Sequence, residues 1–397
     1  MFFSLVVDDF LIKYELDHHL EHLIWALKID YIITIDREAK MYCGITLDWD
    51  YTARTCKLSM PGYVDAVLRK FQHSPPLHPQ HAPYPSIAPT YGASQQMTEP
   101  KDNTPLLPQS KITCLQQIIG LFYYYLRAVD PTMLVALGEI ALVQTLGTAT
   151  EKVLDNMTWF LNYAATYPNA SITYKASGMT LHADSDASYL SVTKARSRVG
   201  GHFYLSNASP QPNLAPTQTP TPNAPLHTVC GILRNVMLLA AEAEVRALFE
   251  NGKEAVVLQT TLMELNHPQP PTPIKTDNST ASGIVNNTLK QRRSKAMDMR
   301  FYWVRDRVQQ GQFVIYWRPG VENLADYFTK HHPAQHHKCW RYKYVDELEN
   351  RKPVSQVGLR RCVTDQPGDT RRTDVGQTND KWSYSRNTQN RQTSSLS

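Results

Sequence analysis

Proline density is the first constraint on this chain. Residues 74–110 carry Pro75, Pro76, Pro79, Pro83, Pro85, Pro89, Pro100, Pro105 and Pro108. Each proline removes a backbone donor and fixes φ, so the run sustains neither a helix nor a central strand and reads as an extended connection. A second proline-rich run, 209–225, interrupts the later part of the chain. The 397 residues are therefore read in pieces, at roughly 100–200 residues per domain.

Composition narrows the class. Hydrophobic residues make up 42% and charged residues 19%, enough to bury a core. Lys plus Arg outnumber Asp plus Glu by 41 to 36, which excludes an acidic solvating protein and is compatible with a polyanionic partner. Six scattered cysteines with no CxxC pair exclude a disulfide scaffold. The apolar run 1–7 has no basic flank and ends in Asp8-Asp9, so it is not a signal peptide. The apolar stretch 118–142 is broken by Arg127, Asp130, Pro131 and Glu139, short of the ~20 apolar residues a membrane span needs. A soluble intracellular protein, in cytoplasm or nucleus, with no membrane partner is expected.

Periodicity supplies the coarse elements. Residues 10–14 read as a strand, 18–29 as a helix, 41–47 and 55–58 as strands, and 61–71 as a helix. Helical sequence runs over 113–165 with a break at Asp130-Pro131. Strands are expected at 171–174, 179–183 and 201–205, a helix at 235–250, a strand at 274–276 and a helix at 277–289. A helix at 297–310, a strand at 313–317 and a last helix at 321–330 follow. Beyond about residue 351 the chain is polar with few apolar residues, a composition that does not repay ordering.

Four acids stand where these alternating elements bring functional groups together. Asp184 follows the strand 179–183, Glu244 lies on the helix after the insert, Asp277 ends the strand at 276, and Asp326 lies on the last helix. Carboxylates at neighbouring strand ends and on helices packed over them can converge. Left alone they repel one another, and hard divalent cations resolve that repulsion. Two such ions can activate a water and stabilise a leaving oxygen, which gives the reading of a two-metal nuclease. Ordinary roles are also open to each acid. Asp277 is a good helix N-cap, Glu244 beside Glu242 a solvated helix face, Asp184 and Asp186 loop aspartates, and Asp326 a surface acid.

The motifs in order resemble the C-terminal part of the Pol polyprotein of copia-type LTR retrotransposons. Val6-Val7-Asp8-Asp9 is similar to the aspartate pair of reverse transcriptases, with 10–14 as the returning strand. Residues 42–47 and 58–64 resemble the segment linking palm to thumb, and Ile119-Gly120-Leu121-Phe122-Tyr123-Tyr124 with 127–131 its next landmark. His182-Ala183-Asp184-Ser185-Asp186-Ala187-Ser188-Tyr189 resembles the first acidic motif of the RNase H part. Ala240-Ala241-Glu242-Ala243-Glu244 resembles the second, 275–281 the third and 323–330 the last, with 294–302 as the helix before the final strand.

The resemblance implies an α/β (α+β) fold: an RNase H-like mixed sheet flanked by helices, preceded by a truncated palm and thumb-like helices. It divides the chain into a palm end at 1–72, a connection at 73–112, a helical part at 113–170, an RNase H-like domain at 171–345 with an insert at 207–226, and a disordered tail at 346–397. It implies cleavage of the RNA strand of RNA–DNA hybrids, with Asp184, Glu244, Asp277 and Asp326 as ligands of two Mg²⁺ ions, or of Mn²⁺. Glu244 is preferred to Glu242 because the family's acid precedes an X-X-Ala-Leu pattern, here Val245-Arg246-Ala247-Leu248. A hybrid or other nucleic acid and the rest of a Pol polyprotein are the implied partners.

Two departures stand out. Ala296 occupies a position where many members carry His. Only seven residues precede Asp8, which leaves no room for a third polymerase carboxylate, so Asp8 and Asp9 are read as a polymerase remnant and no polymerase activity is expected from this chain alone. The competing reading is a non-catalytic fragment that at most binds nucleic acid. A basic stretch, Lys290, Arg292, Arg293, Lys295, Arg300, Arg305 and Arg307, could track phosphates or be a solvated helix face. His331, His332, His336, His337 and Cys339 crowd together in a presumed tail without zinc-like spacing. Tyr123, Tyr124 and Tyr125 are read as core of the helical part.

Overall fold

A computed structural model describes residues 1–86, 102–145, 149–192, 195–208, 211, 213–289, 299–347 and 381–387. They form two compact units, one from Met1–Leu47 with a C-terminal strand, the other from Asp48–Glu347.

In the first unit, β1 (Phe2–Val6) and β2 (Asp9–Tyr14) form a hairpin with Val6 opposite Asp9. The two-residue turn leaves Asp8 exposed at its tip and Val7 at φ 57°, a left-handed conformation that a β-branched residue adopts at a cost. Asp9 is buried at the start of β2. Leu20 and Ile24 of α1 (Asp17–Asp30) pack on Ile12 and Tyr14. β3 (Ile33–Asp36) and the paired β4 (Met41–Tyr42) and β5 (Ile45–Asp50) follow. The strand Lys381–Asn387 pairs with both β2 and β3. It corrects the expectation of a wholly disordered tail: Trp382 and Tyr384 alternate with polar residues, a period-two pattern that overall composition hides. Apart from Asp346–Glu347, the rest of that tail lies outside the described residues.

The second unit begins with β6 (Thr55–Ser59) and α2 (Tyr63–Lys70). Where the proline run that follows is described, it is irregular and carries no strand, with helix beginning only at Gln109, and Trp159 Nε1 donates to Ala82 O within it. Next come α3 (Gln109–Ala128), α4 (Leu134–Thr145) and α5 (Glu151–Thr166), with Asp130 capping the 3₁₀ turn between the first two. β7 (Ala170–Lys175) pairs antiparallel with β6. The helices are joined to the remainder by buried ion pairs: Arg341 grips Asp130 through two bonds of 3.0 and 2.8 Å, and Arg198 pairs with Glu139.

A mixed sheet carries the acids. Its strands are β8 (Thr180–Val192), β9 (Arg196–Ser206) and β10 (Pro225–Ile232). After α6 (Ala240–Glu264) come β11 (Thr272–Thr276), α7 (Ser279–Val285), α8 (Met299–Gln309) and β12 (Phe313–Trp317). The strand order is β10-β9-β8-β11-β12, the first three antiparallel and β11 parallel to both β8 and β12. This is the expected α/β architecture, a mixed sheet flanked by helices. Alternation along β8 sorts its faces. Leu181 and Ala183 join Val245, Leu248 and Ala255 of α6 in the core, whereas His182, Asp184 and Asp186 point to the other face. α9 (Ala334–Trp340) and β13 (Asp346–Glu347), which pairs with β7, complete the unit.

Three expectations change. β10 lies where only loop and insert were read; Pro225 begins it, a place where the missing donor costs nothing in the ladder. The last expected helix is two 3₁₀ turns, Gly320–Glu322 and Leu324–Phe328. Asn323 breaks the run because its side chain turns inward, accepting from Ala325 N and donating to Ser185 O. The histidine-rich segment is an ordered helix, not a tail.

Two glycines on β9 let its neighbours approach. A Cβ on Gly200 would meet Ala325 O and Thr329 Cγ2, and one on Gly201 would meet Asn251 Oδ1 of α6. Gly200→Ala and Gly201→Ala are each expected to lower unfolding free energy by about 1–3 kcal/mol, the usual cost of overpacking, as measured by urea denaturation. An unchanged midpoint would show that these contacts relax freely.

Candidate metal centre

Asp186, Glu244 and Asp277 each bring a carboxylate oxygen to one place, all within 4.8 Å of one another, the one such gathering among the described residues. Three elements supply them. β8 carries Asp186, the first turns of α6 carry Glu244, and Asp277 follows the last residue of β11. Register explains the first and third. Lys275 lies opposite Asp184 in the parallel pair, so two residues further along both strands Asp277 comes level with Asp186.

Asp184 is therefore not in the cluster. It shares the face of Asp186 but sits about 6.6 Å back along the strand. There Lys275 Nζ pairs with it at 2.9 Å and Leu324 N donates to it at 3.0 Å. Lys275 also donates to Glu322 O. The buried Asp184–Lys275 pair thus ties β8 and β11 to the turns that carry Asp326. The carboxylate that β8 brings to Glu244 and Asp277 is thus Asp186, where the sequence pointed to Asp184.

The other acids separate by burial and partner. Glu242, in the first turn of α6, accepts from Leu238 N at 2.7 Å, while Glu244 is buried with Oε2 unpartnered among the described residues. Asp326 stands beside the three. It pairs with Lys330 and shares a cavity of about 250 Å³ with Asp277, Tyr327, His336 and Trp340. A Cβ on Gly320 would lie 2.7 Å from Asp277 Oδ2, so a larger residue there would displace that carboxylate. Thr329 Oγ1 donates to Asp186 Oδ2 at 2.8 Å.

The electrostatics are those of crowded carboxylates. Burial, then Asp326 and Asp277, push Asp186 up to about 7. Burial, then Asp186 and Asp277, raise Glu244 well above the usual range, and burial followed by Asp326 raises Asp277. An all-oxygen set with an unpartnered buried oxygen fits a hard divalent cation, which would relieve the repulsion.

Signals for the missed residues exist in hindsight. Asp184-Ser185-Asp186 and Lys275-Thr276-Asp277 share a spacing of two, so pairing the lysine with one aspartate aligns the other two acids. Nothing comparable marked His336 or Trp340. Asp8 and Asp9 lie in the first unit and are not among the residues gathered here. Of the basic stretch, Lys290, Arg292, Arg293 and Lys295 lie outside the described residues. Among the described residues the histidines form no metal-ligating group: His331 stacks on Tyr84 and His337 bonds Tyr327 Oη.

No protein-family profile matches the chain. The retrovirus-related Pol polyprotein from transposon TNT 1-94 of Nicotiana tabacum is 24% identical over 319 residues, covering 78% of this chain. Over that span the chain is similar to a retrotransposon Pol polyprotein. It spans 22% of the length of that polyprotein. Among solved structures, an N-terminal RNase H domain from Mycobacterium tuberculosis is 12% identical, covering 38% of this chain and 91% of that chain, with a TM-score of 0.25. LC11-RNase H1 in complex with an RNA/DNA hybrid is also 12% identical, covering 38% and 93%, with a TM-score of 0.24. A foamy viral protease-reverse transcriptase in complex with dsDNA is 16% identical, covering 38% and 92%, with a TM-score of 0.22. Among the described residues, no helix is long and apolar enough to cross a membrane.

Proposed function

We propose that the chain is an RNase H-type endoribonuclease that hydrolyses the RNA strand of RNA–DNA hybrids at the Asp186–Glu244–Asp277 centre. The observation that carries this reading is the convergence of three carboxylates from three elements to within 4.8 Å, one with a buried unpartnered oxygen. Relationship to a Pol polyprotein supports the substrate class, and the remainder of such a polyprotein is the proposed protein partner.

The donor set suits Mg²⁺, with Mn²⁺ as a substitute. Bound in pairs, such ions supply Lewis-acid stabilisation of the phosphate and lower the pKa of the attacking water. The chain's own residues provide position. β8 and β11 hold Asp186 and Asp277 level, Thr329 orients Asp186, and the Asp184–Lys275 pair anchors the turn bearing Asp326. Lys330 neutralises Asp326 at the rim of the cavity. Asp8 and Asp9 have no part in this reaction.

The test is direct. Purified chain with Mg²⁺ and a hybrid labelled on each strand should yield RNA fragments and intact DNA, and EDTA should stop the reaction. Intact RNA at high protein concentration in both Mg²⁺ and Mn²⁺ would sink the reading in favour of a non-catalytic fragment.

A further inference from the structure

Two cavities of the second unit each take a wall from the same segment, 336–346. The smaller holds Asp277 and Asp326 together with His336 and Trp340. The larger, about 550 Å³, is lined by Lys175, Ser177, Asn207, Lys343 and Asp346, among others. The wall is built from the end of α9 and the turn after it. His336 stacks on Trp340 with ring centroids 5.2 Å apart and planes 6° apart, and His332 extends the stack at 3.9 Å. Lys343 Nζ lies 3.6 Å from the centre of the Trp340 ring. Lys343 thus lines the larger cavity while its ammonium rests on a side chain that lines the smaller one.

This wall is held firmly from below. His337 bonds Tyr327 Oη, Arg341 is clamped on Asp130, and Tyr344 Oη donates to Leu324 O at 2.8 Å. Above it, Lys343 and Lys175 are exposed and Trp340 half-buried. The charged side chains of the larger cavity are two lysines and a single aspartate, Asp346, so it is net cationic beside a centre of four acids. A centre made of carboxylates repels a polyanionic strand everywhere except at bound cations. A fixed cationic patch next to it offers neighbouring phosphates a favourable site.

We propose that Lys343 and Lys175 form a second phosphate subsite, which takes the backbone of the cleaved strand beside the scissile phosphate, with Trp340 contacting the nucleotide in between. The subsite rests on the reading of the acidic centre as a phosphodiester-hydrolysing site. Phosphate oxygens accept from the two ammonium groups, and the part of the half-buried indole left uncovered by His336 and Lys343 offers apolar contact to a sugar or base. The stacked column costs little to order because it is already in place.

The test separates binding from cleavage. Full-length chain carrying Asp277→Asn is titrated with a fluorescent RNA–DNA hybrid between about 50 and 200 mM salt. Lys343→Gln and Lys175→Gln, added singly, should each weaken binding about 3–10-fold and reduce the salt slope by about one. Trp340→Leu should weaken binding with the slope unchanged, and Lys338→Gln, exposed on α9 outside both cavities, should bind normally. Unchanged affinity and slope in both lysine variants would overturn the subsite, as would loss of binding equally in Lys338→Gln. Lysine-dependent binding without cleavage by the unmutated chain would uphold the subsite and overturn the hydrolytic reading. Absence of hybrid binding altogether would overturn both.

Discussion

Asp186→Asn should reduce hybrid cleavage by about 10³-fold or more while leaving the metal-free protein at least as stable as the unmutated chain. A thousandfold corresponds to about 4 kcal/mol of transition-state stabilisation, a reasonable loss for one ligand of a charged centre. The stability effect has the opposite sign because Asp186 is buried among like charges that raise its pKa. An amide of the same shape can still accept from Thr329 Oγ1 and no longer repels Asp277 and Glu244. Asp184→Asn should behave in the reverse way. It leaves the Lys275 ammonium buried without its counter-ion, which costs about 3–5 kcal/mol. Urea midpoints and single-turnover cleavage of the two variants, measured side by side, decide the assignment. An active Asp186→Asn beside a stable, inactive Asp184→Asn would return the metal to Asp184.

How far the sequence could be read depended on whether a feature was local. The alternation of Leu181 and Ala183 against His182 and Asp184, and the runs at β11 and β12, mark strands by their own period. The acids Glu244 and Asp277 were visible because each sits at an element boundary that composition reveals. The choice between Asp184 and Asp186 was not local. Both share a strand face, and only the pairing of β8 with β11, whose residues lie 91 positions apart (275 − 184), says which is level with Asp277. The region 321–330 misled for a related reason. Its apolar residues have helical spacing, but Asn323 finds partners on β8 and on its own backbone that outweigh another helical turn. The histidines of 331–337 suggested an exposed tail, because nothing in their immediate neighbourhood announces Tyr84, Tyr327 and Tyr163 as the surfaces that bury them.

The same burial sets the second large effect, the response of stability to pH and to divalent metal. Asp186 rises from 3.8 to about 7, worth on the order of 4 kcal/mol at about 1.36 kcal/mol per pH unit. The folded state therefore holds a proton that the unfolded chain releases at lower pH. The Asp186 contribution is harmless below about pH 4, becomes progressively destabilising as pH rises towards 7, and levels off above that. The buried histidines act in the opposite direction over nearly the same range. Burial lowers His202, His331 and His337 to about 3 and His182 and His332 to about 4. Their contribution is present above the unfolded value of 6.5 and is lost as pH falls through the folded values. Acid should accordingly unfold the metal-free protein, and the raw profile should be dominated by histidine. The cluster emerges in the difference between Asp186→Asn and the unmutated chain. In EDTA the variant's advantage in melting temperature should grow from pH 4 to pH 7 and then stay constant, since the histidines cancel. Millimolar Mg²⁺ should abolish that advantage near pH 8 by stabilising only the unmutated chain. A difference that is flat with pH, or that survives saturating Mg²⁺ and Mn²⁺ alike, would mean that the three carboxylates neither repel one another nor share a cation.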